Sequence, residues 1–197
     1  METIVFYIDS EQSKQNALLS LTNIGPEIKR ETSLLFVTNN EYYLEIRNLD
    51  PQYFEGIIFD NLMFMSIGED SLSYLVKDVV NNLCTNLIII NPTHILKYGA
   101  ISEMRRIFNG GHYGFVGNSL KSVGKAQDLY SNPVITDLIN ITEYSEKEID
   151  TLTDMTFITS RQNFDYYCDD DIDFGIQLRK LGFRNILYKY FIIMEGK

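Results

Sequence analysis

Residues 169–184 of this 197-residue chain read DDDIDFGIQLRKLGFR, a run of acids followed by a segment with the start and stop signals of a helix. Four carboxylates fall within residues 169–173. Acidic side chains are favoured at a helix N-terminus, where unpaired backbone N–H groups carry partial positive charge. Basic residues and then a glycine close the segment, so we predict a helix over residues 171–181. Taken alone, the run fits either a solvated helix cap or a functional carboxylate cluster.

The composition is that of an ordinary globular protein with an acidic surface. Hydrophobic residues make up 45% of the chain, charged residues 22%, and the formal net charge is −10. No basic run appears, which argues against nucleic acid and anionic membrane as partners. Apolar segments such as residues 87–90 are strand-sized, so we predict no membrane span. The sequence opens without the basic segment of a signal peptide, and we expect a cytoplasmic protein.

Strand patterns and helix patterns alternate along the chain. The predicted strands cover residues 3–8, 33–37, 56–59, 62–65, 86–91, 113–116, 157–159 and 185–194. The predicted helices cover a segment that begins after Asp9-Ser10 and residues 41–49, 71–84, 95–108 and 171–181. Residues 118–156 are predicted as loops with short strands or one short helix. The alternation predicts one α/β domain, residues 1–197, with a mostly parallel central sheet flanked by helices.

Few motifs of known chemistry occur in the sequence. There is no Walker A sequence and no glycine-rich dinucleotide motif. An EF-hand is rejected because Phe174 stands where glycine is needed. His94 and His112 lack metal-ligand spacing, and Cys84 and Cys168 form neither a zinc pattern nor a disulfide framework. In open α/β sheets ligands bind beyond the C-terminal strand ends, and Asn39, Asn91 and Pro92 follow predicted strands in this way.

Three segments, in order, resemble family 2 glycosyltransferases of the GT-A fold. They are residues 88–96 (IIINPTHIL), residues 99–120 and residues 170–195. In that family a buried strand leads into N-P-D, and later an E-D-x-D-L motif precedes a helix that contains R-k-x-G-y/f-r. Here the sequence DDIDF at residues 170–174 lies on E-D-x-D-L, and residues 178–184 lie on the helix end without a gap.

The resemblance implies a nucleotide-sugar site with a carboxylate base. Asp171 would take the proton from an acceptor hydroxyl as that oxygen attacks the anomeric carbon, so the sugar is transferred with inversion. Asp170 and Asp173 would orient the loop or the acceptor. The partners implied are a nucleotide-sugar donor and a glycan or protein acceptor.

The chain departs from the family pattern at the metal and nucleotide positions. The family's D-x-D or N-P-D reads Asn91-Pro92-Thr93, and its neutral amide and hydroxyl are weak ligands for Mn²⁺ or Mg²⁺. The aspartate expected after the second strand appears as Thr38 or Asn39. The resemblance therefore implies nucleotide-sugar contacts at Thr38, Asn39, Asn91 and Thr93, and we assign no residue to a metal.

Two further expectations follow from these departures. A divalent cation would need other ligands, and Lys121, Lys125 or Arg161 could take its place beside the diphosphate. The altered triplet also favours a second hypothesis, in which a non-catalytic GT-A-like module binds a partner glycosyltransferase or a glycan. An unrelated α/β protein with an acidic helix cap is the third hypothesis.

Overall fold

The computed structural model describes residues 1–67, 76–77, 84–119, 123–126, 135–139, 146–149, 151–152, 155–167, 171–188 and 193–195. The strands are β1 (Glu2–Ile8), β2 (Thr32–Thr38), β3 (Asn61–Ser66), β4 (Asn86–Ile90), β5 (His94–Leu96), β6 (Tyr113–Ser119), β7 (Val123–Ala126), β8 (Ile135–Ile139), β9 (Glu146–Ile149), β10 (Thr151–Leu152), β11 (Met155–Ser160), β12 (Arg184–Tyr188) and β13 (Ile193–Glu195). The helices are α1 (Glu11–Ile24), α2 (Asn40–Arg47), α3 (Ala100–Phe108), α4 (Arg161–Phe164) and α5 (Asp171–Lys180), with 3₁₀ turns at Gly25–Glu27 and Pro51–Phe54.

Eight strands form one mixed sheet in the order β3-β2-β1-β4-β11-β6-β12-β9. The neighbours β3, β2, β1 and β4 are parallel, and so are β6 and β12. Strand β11 runs antiparallel between β4 and β6, and β9 is antiparallel to β12. The predicted α/β fold with a mostly parallel sheet is therefore confirmed. Its parallel half brings the C-terminal ends of β1 to β4 to one edge, called here the C-terminal edge.

Successive side chains of a strand point to opposite faces, and helices cover both faces of this sheet. On one face, Leu21 of α1 and Met104 of α3 are fully buried in a core that includes Ile88. On the other face, Phe174 and Leu178 of α5 are fully buried in a second core. Because each face buries a separate apolar cluster, the strand register is fixed from both sides.

The helix ends follow the signals in the sequence. Ser10 caps α1 by accepting a hydrogen bond from the backbone N of Ser13 at 3.1 Å, as the Asp9-Ser10 pair predicts. At the end of α5, Gly182 adopts φ +86°, and the backbone N of Phe183 donates to the carbonyl of Leu178 at 3.0 Å. This is a glycine-centred Schellman end, so the predicted helix stop is confirmed.

Three secondary-structure predictions need correction. Residues 56–59 do not form a strand, because the backbone N of Ile57 bonds back to the carbonyl of Phe54 in a turn. The helix predicted over 95–108 is a short strand, β5, followed by α3, and Gly99 at φ +95° separates the two. The strand predicted over 185–194 is seen as two strands, β12 and β13. The short strands predicted within residues 118–156 are confirmed in the described part of that segment, as β7 to β10.

Two other predictions are only partly covered by the structure. Of the helix predicted over 71–84, residues 76–77 are described and are helical, and Cys84 lies beyond the helical pair. Cys84 is buried, and burial raises the pKa of its thiol, as expected for a structural cysteine. Cys168 lies outside the described residues. Among the described helices, none is long and apolar enough to cross a membrane.

Candidate functional site at the C-terminal edge

The parallel strands bring the predicted nucleotide-sugar contacts to one edge of the sheet. Ile8, the last residue of β1, pairs with Thr38, the last residue of β2. On the other side of β1, Phe6 pairs with Ile90, after which the chain continues into Asn91. Thr38 and Asn39 therefore lie at the end of β2, and Asn91 and Thr93 follow the end of β4, with β1 between these strands. The two pairs of residues are more than fifty positions apart in sequence.

The polar groups after β2 are engaged within the chain. The Thr38 side chain is buried, and its hydroxyl donates to the carbonyl of Met65 at 3.4 Å. Asn39 Oδ1 accepts from the backbone N of Tyr42 at 3.2 Å and caps α2, while its Nδ2 donates to the carbonyl of Asp9 at 3.1 Å. These contacts hold α2 against the end of β1. A ligand at the end of β2 would contact the backbone and the outer atoms of the Thr38 and Asn39 side chains.

The Asn91-Pro92-Thr93 turn is held by hydrogen bonds on all sides. Asn91 Oδ1 accepts two bonds from Thr93, one from its backbone N at 2.9 Å and one from its hydroxyl at 2.7 Å. The backbone N of Asn91 donates to the Thr156 hydroxyl at 3.0 Å. Asn16 Nδ2 of α1 donates to the Pro92 carbonyl at 2.9 Å. The turn is therefore fixed to α1 on one side and to β11 on the other.

His94 supports this turn from beneath. Its ring is 1% exposed, and Nδ1 lies 2.8 Å from the Thr156 hydroxyl that also accepts from Asn91. The backbone N of His94 donates to the Asn91 carbonyl at 3.0 Å. His94, which lacks metal-ligand spacing in the sequence, is thus buried and hydrogen-bonded, and sequence reasoning missed Thr156, which is 65 residues from Asn91.

The depression between β1, α1 and the turn is small. It is lined by Phe6, Tyr7, Ser13, Asn91 and His94, among others, and it has no room for a water-sized sphere. A group bound at this depression would therefore lie on the strand ends.

The acidic segment begins α5, and the topology directs that end of the helix toward the same edge. Helix α5 ends at Lys180 and leads within four residues into β12, which runs parallel to β6. Because β11 is antiparallel to both β4 and β6, the strands β6 and β12 run in the same direction as β1 to β4. A helix that leads back to the start of β12 runs opposite to that strand, so the N-terminus of α5 points toward the C-terminal edge. Asp171 is the first residue of α5. The side chains of Asp171 and Asp173 lie outside the described part of the structure, as does the whole of Asp170.

Basic side chains near these elements are already paired. In α1, Lys14 lies 2.6 Å from Glu11 and 2.5 Å from Glu45, and these carboxylates raise the pKa of its ammonium group. Arg161 pairs with Asp165, and its backbone N donates to the Thr85 carbonyl at the opposite edge of the sheet. The suggestion that Arg161 could meet a diphosphate is therefore wrong.

The other two suggested cations remain untested, since Lys121 and the side chain of Lys125 lie outside the described residues. In the described ranges, no three or more histidine, cysteine, aspartate or glutamate side chains come together as a metal-binding group. His112, the second histidine, is exposed and stacks on Phe183 with ring centroids 4.6 Å apart.

Comparison with known proteins agrees with this architecture. No family model matches the sequence, and no curated protein matches it. Among solved structures, the chain is similar to the crystal structure of GalNAc-T7 with UDP, GalNAc and Mn²⁺, with a TM-score of 0.66 and 10% sequence identity. The match covers 99% of this chain and 43% of that one. At this identity the similarity shows the fold alone, and that fold is GT-A-like.

Proposed function

We propose that this protein is a family 2-type glycosyltransferase, formed by one GT-A-like domain over residues 1–197. In this proposal it transfers a sugar from a nucleotide-sugar donor to a hydroxyl of a glycan or protein acceptor, in the cytoplasm. The sheet topology is the observation that carries the proposal. It directs the start of α5, at Asp171, toward the C-terminal edge, where the Asn91-Pro92-Thr93 turn lies. The similarity over nearly the whole chain to GalNAc-T7, whose structure holds UDP, GalNAc and Mn²⁺, supports it.

Asp171 acts as the general base in this mechanism. Its carboxylate accepts the proton of the acceptor hydroxyl while that oxygen attacks the anomeric carbon, and the nucleoside diphosphate leaves from the opposite face. The sugar is therefore transferred with inversion. A position at the N-terminus of α5 favours the ionised carboxylate, because the helix dipole stabilises negative charge there. Asp170 and Asp173 orient the acceptor or the loop.

The residues of the Asn91 turn do not fit a divalent cation. The solved neighbour holds Mn²⁺, which prefers oxygen ligands such as carboxylates. Here Asn91 Oδ1 already accepts two hydrogen bonds from Thr93, so both lone pairs of this amide oxygen are engaged within the turn. The Asn91 Nδ2 group carries N–H donors, which suit a phosphate oxygen directly. We therefore propose that nucleotide binding depends weakly or not at all on a metal.

A donor-turnover assay tests the proposed reaction. The protein is incubated with UDP-, GDP- and dTDP-sugars and simple sugar acceptors, and proton NMR follows the anomeric signals. We expect release of one nucleoside diphosphate and a product with inverted anomeric configuration. A product that retains the donor configuration would contradict a single displacement with Asp171 as base.

A second candidate is a non-catalytic GT-A-like module that binds a partner glycosyltransferase or a glycan. The observation that favours it is that the Asn39 amide and the Oδ1 atom of Asn91 are already engaged in hydrogen bonds within the chain. The small size of the depression beside Asn91 also favours a non-catalytic module. Nucleotide binding separates the two candidates, because only the transferase requires it.

A further inference from the structure

Lys77 joins a helical segment to the part of the chain that precedes Asp171. Its Nζ atom donates to the carbonyl of Asp165 at 3.0 Å and to the carbonyl of Tyr167 at 2.9 Å. An ammonium group has three N–H donors, so it can bind both carbonyls at once. Asp171 follows Tyr167 by four residues, a reach of at most roughly 14 Å of extended chain. Lys77 therefore fixes the backbone just before the proposed base.

The helical residues that carry the Lys77 side chain are anchored in the core. Val76, the neighbour of Lys77, is fully buried in the same apolar cluster as Phe164 and Tyr167. Because Val76 is buried, the backbone at Lys77 has a fixed position. The two hydrogen bonds therefore tie residues 165–167, just after α4, to a fixed point. The acceptors are backbone carbonyls, and the contact therefore constrains the path of the chain rather than the rotamer of one side chain.

Aromatic packing holds the two ends of the acidic segment together. The Tyr167 ring meets the Phe174 ring edge to face, with centroids 5.3 Å apart. Tyr167 also stacks on Phe164 at 5.1 Å, and Phe174 lies 5.5 Å from Phe157. Tyr167 precedes Asp171 by four residues and Phe174 follows it by three. The acidic segment is thus bounded on both sides by residues packed against each other in the core.

We propose that Lys77 is a positioning residue for the proposed reaction. It holds the carbonyls of Asp165 and Tyr167, and the Tyr167–Phe174 contact passes that constraint to the start of α5. This role rests on the proposed function of Asp171. A displacement of about 1 Å in a reacting group can cost a hundredfold in rate, so loss of this anchor affects turnover more than donor binding.

Lys77→Met is compared with Lys77→Arg and with the loss of one lysine charge elsewhere in the chain. Lys77→Met keeps the length of the stem and removes the donors, whereas Lys77→Arg keeps both charge and donors. Lys29→Met serves as the control, since Lys29 is an exposed lysine at the other end of the parallel strands. Each variant is assayed for kcat and donor KM, for melting temperature, and for hydrogen exchange of the peptide that spans residues 161–174.

We expect Lys77→Met to lower kcat about tenfold to a hundredfold, with a much smaller change in donor KM. We also expect faster hydrogen exchange in the 161–174 peptide. Lys77→Arg should restore kcat and slow exchange, and Lys29→Met should match the wild type in both. Exchange in Lys77→Met equal to that of the wild type would overturn the positioning role, and so would an unchanged kcat. If the wild type turns over no donor, the proposed function fails, and the exchange comparison still decides whether Lys77 holds this segment.

Discussion

Replacing Asp171 with asparagine is expected to lower the rate of sugar transfer about 10²- to 10⁴-fold, the usual contribution of a general base. Asparagine matches the size of aspartate but cannot accept the proton of the acceptor hydroxyl. Donor KM should change little, because the base acts in the transition state rather than in donor binding. The measurement is turnover of the donor identified by NMR, with kcat and KM determined for both proteins.

The fold should tolerate this substitution. Asparagine is as acceptable as aspartate at a helix start, so the expected loss of stability is only the helix-dipole term of about 0.3–1 kcal/mol. Asp165→Asn is the matched control, since Asp165 is an exposed acid that forms an ion pair with Arg161 before the acidic segment. Full activity in Asp171→Asn, or an equal loss in Asp165→Asn, would rule out Asp171 as the base.

The second large effect is expected in stability, at a buried ion pair far from the proposed site. Arg105 of α3 is 8% exposed, and its guanidinium bonds to both carboxylate oxygens of Glu2, with Nε at 3.1 Å from each. Its Nη1 donates to the Glu27 carbonyl at 2.7 Å. The Glu27 carboxylate in turn accepts from the backbone N atoms of Gly99 and Ser102, both at 2.7 Å. This group joins β1, the turn after α1 and the start of α3.

Arg105→Met should lower the free energy of unfolding by about 3–5 kcal/mol, because it leaves the Glu2 carboxylate, only 12% exposed, and the Glu27 carbonyl without this partner. Urea unfolding measures the change. The neighbouring Arg106→Met is the control: Arg106 is well exposed and pairs with Glu103 on the same helix, so its loss should cost less than about 1 kcal/mol. If both variants unfold at the same urea concentration, the Arg105 cluster does not stabilise the fold as we describe.

Much of the fold could be predicted because local signals and tertiary structure agree. The buried strand ending at Ile90 and the helix of residues 171–180 were both predicted within a few residues. Each has apolar residues at the spacing of its element and a clear stop, a proline for the strand and a glycine for the helix. Where the local pattern was ambiguous, prediction failed. The apolar residues 57–59 have strand composition, but the preceding 3₁₀ turn sets their conformation instead.

The candidate site could be predicted only in part, for a physical reason. Thr38 and Asn91, which the family resemblance implies as contacts, do lie at one edge of the sheet. The hydrogen-bond partners in this region are distant in sequence. The backbone N of Asn91 donates to the Thr156 hydroxyl, and Lys77 donates to the Tyr167 carbonyl. No local sequence pattern signals such contacts. The sequence predicts that Asn91-Pro92-Thr93 is a poor cation site. The structure adds that Thr93 donates two hydrogen bonds to Asn91 Oδ1.

Calorimetric titration with UDP, GDP and dTDP, each with and without Mn²⁺, tests the central claim most directly. We predict that one of the three binds and that its affinity is nearly independent of the metal. Thr93→Asp, which restores an acid to the turn and removes the hydroxyl bonded to Asn91, should make binding respond to Mn²⁺. Binding that needs Mn²⁺ in the wild type would contradict the metal-independent site. Binding of none of the three, with or without metal, would contradict the transferase itself and favour the partner-binding module.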